Sequence, residues 1–178
     1  MGYAIASAAA KRGAKVVLIS GPVNIPCPEN VERIDVVSAE DMYNAVMKVK
    51  SGADIIIKSA AVGDFRIKNS ADGKLKKDSI LNLELEKNKD ILAELGKDKS
   101  YKLVGFCMET SDLSENAVKK LKAKNADFIV ANDLTKEGAG FGTDTNIVKI
   151  FYADGKTEEL PIMSKTDLAD IIFDRINE

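Results

Sequence analysis

The sequence predicts an α/β domain of three layers, α/β/α, with a mixed, mostly parallel sheet and a C-terminal β-hairpin. Three observations predict it. Short β-branched runs alternate with helix-period segments, as parallel strands joined by helical crossovers require. The run DIIIKS at residues 54–59 is almost continuously apolar, as a strand covered on both faces is. The chain has 178 residues, 45% hydrophobic and 30% charged, which suits one domain, residues 1–178, with a sizeable core.

Each element follows from local chemistry. Residues 1–12 are alanine-rich with helical periodicity, and Gly13 stands where a helix C-cap belongs. KVVLIS at 15–20 reads as a strand ended by Gly21-Pro22, and residues 30–37 as a second. Ser38 with Asp41 three residues on is a capping pair for a helix to about residue 50. Residues 60–78 form a Gly/Ala/Lys-rich loop without a period. ILNLELE at 80–86 alternates, as a strand with one wet face does. A short helix is expected over 89–96, a strand over 102–106, an amphipathic helix over 113–124 with Val118 and Leu121 inward, and a buried strand over 127–131. Residues 132–144 read as a long Gly-rich loop. Residues 146–152 and 157–160 pair as a hairpin around Asp154-Gly155, and Ser164 caps a last helix to about Asn177. The pattern is that of a Rossmann-like domain.

Composition removes whole classes of function. There are 26 basic and 28 acidic residues, a net charge of −2, which argues against nucleic acid or an anionic membrane as main partner. No apolar run approaches the roughly 20 residues of a membrane span, and the N-terminus does not have the pattern of a signal peptide. Cys27 and Cys107 have no metal-ligand spacing, so a reducing, cytoplasmic setting is expected. The chain has no histidine. Histidine-dependent hydrolysis and most zinc chemistry are thereby excluded, and lysines, carboxylates, Asn, Ser and the backbone must do the work.

Candidate site residues cluster at predicted strand ends, where open α/β sheets bind ligands. Ser59, Ala60, Ala61, Val62, Gly63 and Asp64 follow the 54–59 strand. The small residues permit close approach of a base or ribose, and Asp64 suits a ribose hydroxyl or a magnesium ion; a tight turn with a solvated Asp is an equal reading. Lys74, Lys76 and Lys77 suit a mobile lid over phosphates, or a solvated basic turn. Lys120 and Lys124 lie four apart on one helix face, able to meet a triphosphate jointly or simply to be a wet face. Phe106 at a strand end suits packing on a nucleobase. Asn132, at another strand end, would fix a polar substrate group or cap a turn. The four strand ends are expected on one edge of the sheet. The chain also opens inside a helix, where a doubly wound fold would have a strand and a Gly-rich turn first, and a missing first strand is therefore expected.

Ala60-Ala61-Val62-Gly63-Asp64-Phe65-Arg66, then Lys74-Leu75-Lys76-Lys77, then Ala131-Asn132-Asp133 resembles the phosphopantothenate–cysteine ligase family, the C-terminal domain of bifunctional coenzyme A biosynthesis flavoproteins. Ser20-Gly21-Pro22-Val23, Gly105-Phe106 with Glu109-Thr110, and Gly140-Phe141 with Asp144 and Asn146 support it, and the resemblance spans essentially the whole chain. It implies that 4′-phosphopantothenate is activated by CTP, with magnesium, to an acyl-cytidylate that cysteine captures. It implies Lys74 as catalytic lysine of a lid. Ser59, Ala60, Asp64, Lys89, Asp90, Ile91, Leu92, Phe106, Lys120 and Lys124 would line the nucleotide site, with Asp64 also near the metal. Ala61, Arg66 and Asn132 would meet substrate. It further implies a homodimer and a fused or separate flavin-dependent decarboxylase.

The sequence departs from the family twice. An N-terminal strand, an Asn and a Ser-Ser-Gly-Lys-like loop do not precede Met1, which puts the activity of this polypeptide in doubt, and Lys89 stands where proline is expected. Two other classes remain open from the residues: a non-catalytic nucleotide-binding dimer module, and a dinucleotide-binding domain, for which the lysine lid has no use.

Overall fold

A computed structural model of the chain describes residues 1–69, 73, 82–109, 112–133 and 144–178. The helices are α1 (Gly2–Lys11), α2 (Ala39–Val49), α3 (Ile91–Leu95), α4 (Leu113–Ala123) and α5 (Lys165–Ile176). The strands are β1 (Val16–Ser20), β2 (Val31–Asp35), β3 (Ile55–Lys58), β4 (Phe65–Ile67), β5 (Leu85–Lys87), β6 (Lys102–Glu109), β7 (Phe128–Asp133), β8 (Thr145–Asn146), β9 (Val148–Tyr152), β10 (Thr157–Glu159) and β11 (Met163–Ser164).

The main sheet has the order β10-β9-β7-β6-β3. β3, β6 and β7 are parallel, and β9 and β10 add antiparallel strands at one side. β1 and β2 form a separate parallel pair. Alternation along the strands divides the core in two. Val104, Val130 and Ile150 pack with Ile5, Ala8 and Ala9 of α1 and Leu168 and Ile172 of α5. Leu103, Ile129 and Phe151 pack on the other face with Leu92 and Leu95 of α3 and Ala117 and Leu121 of α4. These are the three expected layers.

Caps fix the helix starts. Ser38 and Asp41 form the full capping box, with Asp41 N–H donating to Ser38 Oγ at 3.1 Å and Ser38 N–H to Asp41 Oδ2 at 2.9 Å. Ser164 accepts from Asp167 N–H at 3.0 Å to start α5. Gly13, at φ +84°, closes α1 in the left-handed region that glycine enters without strain.

Three expectations are corrected. β3 is not covered on both sides. Ile55 is 36% exposed and the rest of the strand half-buried, because β3 pairs only with β6 among the described residues. β1 likewise pairs only with β2, and Val17 is 37% exposed. Val16 and Ile57 nevertheless pack on the same α1–α5 cluster, so both open edges belong to one layer. Second, the alternating run at 80–86 joins no main sheet. Its end forms β5, which pairs with β4 in a two-stranded arm where a structureless loop was expected; residues 80 and 81 lie outside the described set. Third, the hairpin expected from residue 146 begins at Val148, and Asn146 instead pairs with Met163 in a short β8–β11 ladder. Among the described residues no helix is long and apolar enough to cross a membrane.

Candidate active-site cleft

The parallel strands β3, β6 and β7 end at one edge of their sheet, and a cleft of about 610 Å³ opens there between the β3–β4 connection, the start of α3 and α4. Ser59, Ala60, Ala61, Val62, Gly63 and Asp64 form one wall. Asn88 N–H donates to Asp64 O at 2.8 Å, and Asn88 Nδ2 donates to Gly63 O at 2.9 Å, which pins this wall to the segment before α3. The N-terminus of α1 adjoins the same edge. Gly2 lies so close to Ser59 that a Cβ there would meet its hydroxyl at 2.9 Å. Tyr3 and Ser20 hydroxyls are 2.9 Å apart, tying the end of β1 to the first turn of α1. Free N–H groups and the helix dipole make such a terminus favourable to anions.

The second wall carries charge. Asp90 caps α3 by accepting from Ala93 N–H at 2.9 Å, and Lys124 Nζ donates to its other oxygen at 2.7 Å. Burial raises the Asp90 carboxyl, but the Lys124 and Ala93 hydrogen bonds outweigh it and hold it below its ordinary value. Lys124 is thus already neutralised. Lys89 Nζ sits 4.4 Å from the centre of the Tyr43 ring, a cation–π contact at the cleft rim. Lys120 lines the cleft and makes no ion pair among the described residues. Lys58, the last residue of β3, lines it too. Burial pushes the Lys58 ammonium below the usual lysine range, and the neighbouring Lys120 charge pushes it the same way.

The structure brings most of the expected residues together: Ser59, Ala60, Ala61, Asp64, Lys89, Asp90, Ile91, Leu92, Phe106, Lys120 and Lys124 all line the cleft. Ile91 and Leu92 are 3% and 1% exposed, so their side chains serve mainly as core. Leu92 supports the site from below, reaching to 2.8 Å of where a Gly105 Cβ would sit; Gly105 is what lets α3 approach β6. Arg66 is not in the cleft. It sits on the β4–β5 arm with its guanidinium spent on Glu86 at 2.6 Å and Glu40 at 2.8 Å. Asn132 does not line the cleft; it is 3% exposed at the end of β7, and its Oδ1 is buried with no hydrogen-bond partner among the described residues. Lys74 and the rest of the lysine lid, with Thr110, Gly140 and Phe141, lie outside the described residues.

Sequence reasoning missed Lys58, Asn88 and Lys119, all lining the cleft. Lys58 carried a signal, as the one charge inside the run IIIK. Asn88 carried none, since its role depends on the loop it clamps. Its Oδ1 is a second buried acceptor without a partner among the described residues. Among the described residues no group of three or more metal-ligating side chains gathers. A magnesium ion held mostly by substrate phosphates, with one carboxylate, is the mode these residues fit.

Comparison with known proteins gives consistent matches. The family described as DNA/pantothenate metabolism flavoprotein, C-terminal domain, matches residues 1–178. The Bacillus subtilis coenzyme A biosynthesis bifunctional protein CoaBC is 54% identical over 179 residues, covering 99% of this chain and 44% of that protein. The Escherichia coli protein of the same name is 40% identical over 182 residues, covering 99% and 45%. The chain therefore spans about half the length of the curated relatives it matches. A crystal structure of the C-terminal domain of CoaBC superposes with a TM-score of 0.83 at 39% identity, covering 98% of this chain and 79% of that one. A Cab2 mutant in complex with phosphopantothenate-cysteine shares the fold, with a TM-score of 0.56 at 18% identity, covering 84% of this chain and 52% of that one.

Proposed function

The chain belongs to the DNA/pantothenate metabolism flavoprotein C-terminal domain family, and from that premise we propose that its cleft joins 4′-phosphopantothenate to cysteine at the expense of CTP, in coenzyme A biosynthesis. The observation that carries this reading is the cleft itself: small residues and backbone on one wall, lysines on the other, at the carboxyl ends of parallel strands. Such a site suits a nucleoside triphosphate.

The reaction balances without histidine. The carboxylate of 4′-phosphopantothenate attacks the α-phosphorus of CTP, and the bond to the β-phosphate oxygen breaks, releasing pyrophosphate. The cysteine amine then attacks the acyl carbon of the acyl-cytidylate, CMP leaves with the bonding pair, and the amine loses its proton to solvent. A magnesium ion bound with the triphosphate would supply neutralising charge there. Asp64 is the cleft carboxylate free to contact it, since Asp90 is held by Lys124. The turn after β3 approaches base and ribose through its backbone, and Phe106 packs on the base. Lys120 meets phosphate as a point charge. Asn132, at the carboxyl end of β7, keeps its expected role of meeting a polar group of the substrate. Lys74 retains its expected role as the lysine that follows charge onto the leaving pyrophosphate.

Three wider readings accompany this. A further parallel strand fits between β1 and β3, each of which lacks a second partner among the described residues while Val16 and Ile57 pack on one helix layer. The β4–β5 arm exposes Phe65, Ile67, Leu83 and Leu85 and serves as a homodimer surface. The protein works in the cytoplasm alongside a flavin-dependent decarboxylase, and neither Cys27 nor Cys107 forms a disulfide.

Ligand-dependent unfolding separates the classes. CTP with magnesium raises the unfolding temperature and NADH does not. Protection by NADH alone would replace the ligase reading with a dinucleotide-binding one.

A further inference from the structure

The geometry points to Lys58 as a phosphate-binding residue of the nucleotide site, its ammonium standing with Lys120 as an incompletely compensated cation pair that a polyphosphate completes. This rests on the nucleotide reading above and adds a residue to it.

The placement follows from register. Lys58 pairs with Gly105 across β3 and β6. Gly105 faces Leu92 and Ile129, so Lys58 points to the α3–α4 side of the sheet, where Asp90 and Lys124 meet. The residues of a parallel strand are normally apolar, and a lysine at the end of β3 places a partly desolvated charge at the ligand edge. Lys58 is half-buried and makes no ion pair among the described residues. The charged groups facing it are Lys120 and Lys124 of α4, Asp90 at the start of α3 and Asp64 after β3. Asp90 is committed to Lys124 at 2.7 Å, and Lys119 on the outer face is committed to Glu115 at 2.6 Å. The half-buried Lys58 therefore faces Lys120 with Asp90, already shared with Lys124, and the exposed Asp64 to offset the pair.

A half-buried ammonium held next to a like charge is costly, and it stays costly until an anion arrives. The lowered proton affinity of Lys58 is the physical sign of that cost, led by burial. An arriving triphosphate reverses both causes: it supplies the missing counter-charge and offsets Lys120. Binding therefore raises the proton affinity of Lys58, and Lys58 takes up a fraction of a proton when the nucleotide binds above neutral pH.

Calorimetry of CTP–magnesium binding to the chain, in two buffers of different ionisation enthalpy at about pH 9, tests this, because at that pH the nucleotide itself is fully ionised and lysines titrate. The wild type is expected to bind with net proton uptake. Lys58→Met is expected to weaken CTP about tenfold to a hundredfold, the loss of one charge-assisted contact, with its unfolding temperature without ligand unchanged or raised. Lys58→Arg keeps a permanent charge, so it is expected to restore most of the affinity and to lose most of the proton uptake. Wild-type affinity in Lys58→Met, or proton uptake undiminished in Lys58→Arg, would overturn the assignment while leaving the nucleotide site standing. Absence of CTP binding to the wild type would overturn the nucleotide reading and the Lys58 assignment with it.

Discussion

At the scale of single residues, the cleft depends on contacts made well below it. Gly96, just past α3, has no room for a side chain: a Cβ there would overlap the carbonyl oxygen of Lys124 and lie 2.8 Å from its carbon. Asn125 Nδ2 donates to Gly96 O at 2.8 Å, so the ends of α3 and α4 are locked together. That lock sets the Asp90–Lys124 pair at the mouth of the cleft. Gly96→Ala is expected to cost about 2–3 kcal/mol and to lower the unfolding temperature roughly 5–10 °C by calorimetry, because backbone rather than a flexible side chain must give way. Unchanged stability would mean that the two helix ends can separate freely.

A second residue-scale device lies at the opposite end of the chain. Arg175 donates to both oxygens of Glu158 at 2.7 and 2.9 Å, and the Tyr152 hydroxyl donates to Glu158 Oε2 at 2.9 Å. The Arg175 hydrogen bonds hold the Glu158 carboxyl down at about 2, against burial. A depressed carboxyl stabilises the fold above its unfolded value of about 4.3, and that contribution disappears as pH falls toward 2. Glu158→Gln is therefore expected to cost about 1.5–3 kcal/mol at neutral pH by denaturant unfolding, with the gap to wild type narrowing below about pH 4. A gap independent of pH would remove the charge from the explanation.

At the scale of elements, the β4–β5 arm and the β1–β3 edges share one property, apolar surface or unpaired backbone that the described chain does not cover. For the arm, Phe65→Asp or Leu85→Asp is expected to convert a dimer to a monomer in sedimentation velocity with the far-ultraviolet spectrum unchanged. A wild-type monomer would dismiss the arm as a dimer surface. These elements also mark where the sequence was legible. The helix caps, the apolar strands β6 and β7 and the helical periodicities are local signals, and the structure follows them within a residue or two, except that β6 runs three residues past its expected end. β4 was not legible, because three residues, Phe65–Ile67, have no period of their own and become a strand only when β5 lies beside them. The exposure of β3 was not legible either, because its apolar run states what would cover it and not what does.

At the scale of the whole molecule, a net charge of −2 conceals a cleft that gathers Lys58, Lys89, Lys119, Lys120 and Lys124 against Asp64 and Asp90. Composition excluded histidine chemistry, and motif spacing pointed to the turn after β3 and to α4. It did not separate Arg66, which the arm holds away on Glu40 and Glu86, from its cleft neighbours two to six residues before it. Nor did it find Lys58 or Asn88, whose roles arise from strand register and from a loop clamp.

The measurement that tests the account most directly is pyrophosphate release from CTP with 4′-phosphopantothenate and magnesium, with and without cysteine. It is made on this chain and on a form extended at its N-terminus by a strand able to pair with β1 and β3. The account predicts pyrophosphate release by the extended form and cysteine-dependent appearance of CMP. CTP binding without pyrophosphate release by either form would contradict it, leaving a nucleotide-binding module in place of a ligase.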